Sequence, residues 1–438
     1  MDSLMLVLII VAVYAVLVAI ASYKNLLSKR KNISFYGPFI MLKTSRGNQL
    51  IDRISKYRIP WIIVMNISIA VYILSFIVAL WLIVVSAAAS FRIPVSVAPT
   101  PQMLIGIPGV NPFIPLWYGV IGLIFSIFFH EFSHGIASRI GNIRIKSIGV
   151  LFFIVPLGAF VEPDDEELKK SSRLSRVRVY ASGPAINIMS SLIFLLIFTS
   201  LVSTVGLAPI GVAVDTVFKD SPAYNAGIRP GMVIVAVNSN YVKSWDEFFQ
   251  LMSVFKPNDT VKLLIHSGTA EIVLNVTLDE RFKYTGFEDD KGKPFLGIAN
   301  RWISIIYSLS NPFSSPPESF LELLRLPFIG LAVIQPPYPE FYSTPIHPDS
   351  FWPLLNTVYW VFWLNLMIGL TNVLPIVPLD GGLLVKEAIE ALLGKIASKK
   401  SIEERSIIAL KAAYLITLVI VVMILMPMVI PRILNIGG

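Results

Sequence analysis

Between Leu116 and Ile140 an apolar run is interrupted by His130-Glu131-Phe132-Ser133-His134, and no other stretch limits the possible folds so tightly. The run is long enough to cross a bilayer, and in lipid an isolated segment must satisfy its own backbone, so it is read as a helix. Ionisable side chains at that depth cost about 2.5 kcal/mol or more each, so they have to face protein or a cavity and serve a purpose there. A helix places His130 and His134 one turn apart on one face. That spacing lets two imidazoles grip one Zn²⁺, with Glu131 beside them to take a proton from water. The same pattern also arises by chance in soluble helices, where it marks only a polar face. The surroundings must decide between the two.

They favour a membrane. The 438-residue chain is 55% hydrophobic and only 15% charged, where soluble domains carry about 25% charged residues. Its net charge of +8 comes from Lys and Arg grouped beside apolar spans, which reads as basic cytoplasmic loops rather than a nucleic-acid surface. There is no cysteine and there are only four histidines. Disulfides and thiolate ligands are excluded, and any metal site must borrow carboxylates.

Taken in order, Leu4 to Ala21 is expected to be a first, retained span. The segment from Ser22 to Arg58 holds nine basic residues against Asp52 alone and is expected to be cytoplasmic. Trp61–Ala88 reads as the second span, Leu116–Ile140 as the third, Val179–Leu207 as the fourth, Phe351–Pro378 as the fifth and Ala412–Ile430 as the sixth. Ser147 to Glu162 is apolar but too short to cross. Gly149, Pro156 and Gly158 among β-favouring residues make it a candidate re-entrant hairpin covered by protein. Phe320 to Val333 reads as an amphipathic interfacial helix or a partial re-entry.

From about Gly211 the texture becomes that of a soluble domain. Asp220-Ser221-Pro222-Ala223-Tyr224-Asn225-Ala226-Gly227-Ile228 followed by Val233-Ile234-Val235-Ala236-Val237 resembles the core pattern of PDZ domains. Met232 and Ser239 stand where that pattern usually has Asp and Gly. The resemblance spans roughly Gly211–Leu278 and implies a domain that binds extended peptides by strand addition, and the order of the spans is expected to put it outside the cytoplasm.

The fifth span ends in Asn372-Val373-Leu374-Pro375-Ile376-Val377-Pro378-Leu379-Asp380-Gly381-Gly382. By charge bias this lies at the same membrane depth as the two histidines. Two prolines break the helix, so the freed backbone groups need partners or a water-lined cavity. Alone, the stretch reads either as a helix-ending turn or as a carboxylate made free by two glycines to swing onto a metal. In the second reading His130, His134 and Asp380 make three ligands with one position open, as a catalytic zinc requires.

Together the two stretches resemble the site-2 protease family of intramembrane metalloproteases. His130-Glu131-x-x-His134 and Asn372 to Gly382 match its two motifs. Gly158-Ala159-Phe160-Val161 resembles its membrane-embedded hairpin, and Gly183-Pro184-x-x-Asn187 an element of the following helix. The resemblance implies zinc held by His130, His134 and Asp380, Glu131 as general base, and Asn372 bonded to the substrate backbone or oxyanion. Gly158 and Phe160 are expected on the hairpin edge that pairs with an unwound substrate.

The expected molecule is therefore a multi-pass α-helical membrane protein with about six spans, a re-entrant β-hairpin and an inserted α/β PDZ domain. Its parts are residues 1–115 (first helices and basic loop), 116–207 (first catalytic segment), 208–282 (PDZ domain), 283–350 (Pro- and aromatic-rich linker) and 351–438 (second catalytic segment). The expected function is zinc-dependent cleavage within transmembrane segments of substrates already trimmed by another protease. The active site is expected near the cytoplasmic face, the bilayer is the solvent, and no nucleic acid is involved. The alternative is an inactive membrane scaffold that recruits partners through its PDZ domain. An intact Glu131 argues against it, because a purely structural site needs no base.

Overall fold

The computed structural model describes residues 13, 14, 16, 18, 20, 33–36, 39–44, 48–153, 155–268, 270–313 and 318–436. Five helices among them are long and apolar enough to cross a membrane. They are α1 (Arg58–Ala89), α2 (Leu116–Ile140), α3 (Arg173–Val202), α4 (Pro348–Asn372) and α6 (Ile402–Ile436), and α5 (Asp380–Ile396) connects the last two. The first expected span, Leu4–Ala21, lies largely outside the described residues. The chain divides into two compact units, residues 1–195 with 359–438 and residues 196–358.

In the first unit, α2 is built inside out relative to a soluble helix. Gly119, Gly122, Ser126, His130, Ser133, His134 and Ala137 make its buried stripe, whereas Ile121, Ile124, Phe125 and Phe128 are exposed. Small residues on the inner face permit close helix approach, and large apolar ones suit lipid. Gly122 shows the reason: a Cβ there would lie 2.8 Å from the Trp360 carbonyl of α4.

The predicted hairpin is present as β3 (Ile145–Phe153) and β4 (Val155–Pro163), but it is not a two-stranded structure. β1 (Ile33–Tyr36) and β2 (Phe39–Thr44) extend it to a four-stranded antiparallel sheet in the order β1-β2-β3-β4. The basic loop expected over these residues therefore contains two strands. Lys43 at the end of β2 meets Glu162 at the end of β4 (3.2 Å), where Ser147 also donates to the carboxylate (2.6 Å). The Ser147 hydroxyl, aided by Lys43, holds the Glu162 carboxyl below its ordinary value. Among the described residues, β4 is an edge of the sheet.

The Asn372–Asp380 stretch is broken as its prolines require, and the freed groups are met. Tyr72 of α1 donates to the Val373 carbonyl (3.2 Å), and Val377 N–H donates to the Thr417 hydroxyl of α6 (2.9 Å). Gly381 and Gly382 are not a hinge for Asp380. They lie in the first turn of α5, packed so closely on the backbone of Val373, Leu374 and Ile376 that a Cβ would collide with it.

The second unit contains a sheet in the order β8-β7-β6-β5, formed by β5 (Val212–Ala213), β6 (Val233–Val237), β7 (Thr260–Ser267) and β8 (Ala270–Thr277). Helix Trp245–Met252 is capped by Ser244 and lays Phe248 and Met252 on the core. That core reaches beyond Leu278. Leu296 is 4% exposed within it, Ile298 packs against it, and Ile298–Ala299 pairs with Thr216–Val217. The amphipathic reading of Phe320–Val333 appears as helix Glu318–Arg325 and a 3-10 turn, Leu326–Ile329.

Candidate active site

Three elements of the first unit build one cluster. His130, Glu131 and His134 come from α2, Val179, Gly183 and Asn187 from α3, and Asp380 from the first turn of α5. His130 Nε2 lies 3.1 Å from His134 Nε2 and 3.1 Å from Asp380 Oδ2, and His134 Nε2 lies 3.3 Å from the same oxygen. The two histidines are 8% and 9% exposed, so water does little to screen them. Thus the third expected ligand, distant in sequence, meets the other two in space.

The donor chemistry tests whether this triangle fits a metal. His134 Nδ1 is 2.7 Å from the Val179 carbonyl, so Nδ1 carries the proton and Nε2 presents its lone pair. That lone pair faces a carboxylate oxygen that is buried and has no hydrogen-bond donor. Acceptors gathered this way in a buried site repel unless a cation joins them. Bonds of about 2.0 Å to a tetrahedral Zn²⁺ separate ligand atoms by about 3.3 Å, close to the three distances here. The residues fit zinc.

The neighbours support the same geometry. A Cβ on Gly183 would sit 2.5 Å from His134 Nε2 and 2.7 Å from His130 Nε2, so only glycine leaves room beside the ligand atoms. Asn187 places its side-chain amide 3.3 Å from His130 Nδ1, and its Oδ1 is buried without a partner. When His130 Nε2 binds a metal, Nδ1–H needs an acceptor, and a flip of the Asn187 amide supplies Oδ1. Arg176 of α3 forks onto Glu387 of α5 (2.9 and 3.0 Å), tying the helix that begins at Asp380 to the helix that carries Gly183.

Sequence reasoning marks Gly183 and Asn187 only as a likeness, although a four-residue interval on a helix is an available signal. It cannot find Val179, which acts through its backbone. Asn372 is the last residue of α4, and its amide donates to Ile368 O (3.1 Å), one turn back along its own helix. Glu131 accepts from the Val161 N–H of β4 (2.8 Å), so the hairpin edge and the expected base are in direct contact. Phe160, in the register Gly149↔Phe160, lays its ring over Gly149 of β3. Gly158 lies beside Ile127 of α2.

In the second unit, a groove of about 550 Å³ runs between helix residues Trp245, Phe249 and Met252 and the segment 294–299.

Residues 118–420 match the family described as peptidase family M50. An uncharacterized protein of Methanocaldococcus jannaschii is 26% identical over 371 residues, which is 83% of this chain and 82% of that one. Zinc metalloprotease RasP of Shouchella clausii is 28% identical over 187 residues, 40% of this chain and 42% of that one. Among solved structures, the PDZ domain of an SdrC-like protein from Listeria monocytogenes is 26% identical and covers 22% of this chain and 90% of its own, with a TM-score of 0.19. The matched region contains His130, Glu131, His134 and Asp380, and the chain belongs to peptidase family M50, the membrane metalloproteases of the site-2 type.

Proposed function

We propose that this metalloprotease cleaves peptide bonds inside the transmembrane segments of other membrane proteins, with zinc held by His130, His134 and Asp380. The observation that carries the reading is the buried triangle of ligand atoms on helices whose outer faces are apolar. When bound, zinc supplies Lewis acidity, making water acidic near neutral pH and polarising a carbonyl. Glu131 takes the proton of the attacking water and passes it to the leaving amine. Asn372, rotated from Ile368, donates to the substrate backbone or oxyanion.

A helical substrate shields its carbonyls, so it must unwind. The open β4 edge offers unwound chain a strand to pair with. Strand alternation specifies which groups take part. Val161 N–H points away from β3, toward Glu131, so Ile148↔Val161 is a non-bonded pair and Gly149↔Phe160 a bonded one. Ala159 therefore faces outward with Val161, whereas Phe160 N–H serves the hairpin. Replacing Phe160 by proline breaks β3–β4 itself, so the informative positions are 159 and 161.

In this reading the site faces the cytoplasm, because basic residues such as Arg139 and Arg144 follow the helix that carries the histidines. The PDZ-like unit would then be extracytoplasmic, with its groove taking an extended terminus of substrates trimmed by another protease. Its deletion should span residues 212–299, because Leu296 and Ile298 belong to the same core.

The reading is tested by reconstituting the enzyme with single-span substrates and mapping the cut by mass spectrometry. Cuts within the apolar span that stop on zinc chelation support it. Cuts confined to the flanking loops contradict it.

A further inference from the structure

Glu131 is the one expected catalytic group whose partner lies on the substrate-pairing edge. Its Oε2 accepts from Val161 N–H at 2.8 Å, and alternation along β4 makes that N–H a member of the outward-facing row. A strand adding to this edge would ordinarily bond to both Ala159 and Val161. At Val161 the donor is already engaged by a carboxylate, and a charge-assisted bond of this kind is stronger than a neutral amide–carbonyl one.

We propose that the Val161 main-chain N–H is the positioning group of the general base and that Glu131, bound there, terminates the substrate ladder. A substrate strand pairs with Ala159, loses its next donor at Val161, and leaves the sheet with its following peptide bond beside the Glu131 carboxylate. The contact thus sets both where the base stands and which bond it meets. No covalent step is added to the hydrolysis. The Val161 side chain has no polar group, so the function rests on the backbone alone.

This inference rests on the reading of β4 as the substrate-pairing edge, and the experiment separates the two. The N–H of one residue is removed by replacing its peptide bond with an ester, through incorporation of the α-hydroxy analogue at position 161 or, separately, at 159. Because the Val161 N–H lies outside the β3 ladder, Val161→Pro provides a second variant, as proline is tolerated at an outward edge position. Each full-length enzyme is checked for zinc content and thermal midpoint. Substrate Kd is then measured by fluorescence anisotropy, and the single-turnover cleavage rate at saturation.

The ester at 161 is expected to lower the rate about 10- to 100-fold, the effect of misplacing a catalytic group by about 1 Å, with Kd within about twofold. The ester at 159 is expected to weaken Kd instead. An unchanged rate with the ester at 161 overturns the inference, as does a Kd loss there equal to that at 159 with the rate preserved. If the ester at 159 leaves Kd unaltered, the edge-pairing reading falls, whatever happens at 161. A shift of the cut position with the ester at 161 supports the ladder-terminating role.

Discussion

His130 and Asp380 belong to opposite halves of the chain, yet Nε2 of one lies 3.1 Å from Oδ2 of the other. The contact depends on backbone that no motif describes. α5 begins at Asp380, and Gly381 and Gly382 let its first turn press on Val373, Leu374 and Ile376.

Gly183→Ala should therefore impair metal binding while sparing the fold. The added methyl lies within 2.7 Å of both ligand nitrogens and has to push one imidazole aside. We expect zinc affinity to fall at least about 10-fold, the scale of disturbed ligand orientation. Titration against a chromophoric chelator measures it, and wild-type affinity would show that the site has slack.

Asn187→Leu removes the acceptor for His130 Nδ1–H and nearly keeps the volume. Zinc affinity should drop about 10- to 100-fold. Asn187→Asp, which can accept but not donate, should retain far more of it. Equal loss in both variants would deny Asn187 the acceptor role.

The Arg176–Glu387 pair is enclosed, with side chains 14% and 7% exposed. Glu387→Ala leaves the guanidinium buried with only backbone partners, Lys169 O and Ser171 O. A loss of about 3 kcal/mol is expected, read as a lower unfolding midpoint in detergent. Because the pair anchors α5, zinc affinity should fall with it.

At the base of the hairpin, Glu162 has its carboxyl held below the ordinary value of 4.5, first by Ser147 and then by Lys43. Since the folded value is the lower one, the stabilisation is complete above the ordinary value. It is lost as pH falls through the folded value. Glu162→Gln should raise hydrogen exchange along residues 147–162 at pH 6, and the difference from wild type should shrink as pH falls through the folded value. A difference that stays constant throughout acid titration would mean that the charge is not the cause.

Much of this site is legible in the sequence because its chemistry is carried by spacing. Two histidines one turn apart and an aspartate after a doubly broken helix suggest a ligand set when they are read together. What stays hidden is carried by backbone or by distant pairing. Ile33–Tyr36 and Phe39–Thr44 look like parts of a basic loop because the lysines and arginines around them outweigh their short β-favouring runs, and the pairing of β2 with β3 reveals them as sheet. Phe160 draws attention as a large side chain, whereas strand parity gives the outward-facing donor to Val161. Gly381 and Gly382 suggest freedom and prove to be close contact. The small β-domain is recognisable through Val233–Val237, but its core also takes Leu296, across a segment with no strand signal.

In the proposed reading Glu131 is the base beside a zinc ion that His130, His134 and Asp380 would hold, and the other proposed roles follow from that arrangement. The most direct measurement is cleavage of a bilayer-embedded substrate by Glu131→Gln enzyme, with zinc counted in the same preparation. Zinc should remain at the wild-type level while the rate falls about 10²- to 10⁴-fold, the contribution of a positioned general base. Cleavage at the wild-type rate with zinc retained would contradict that role.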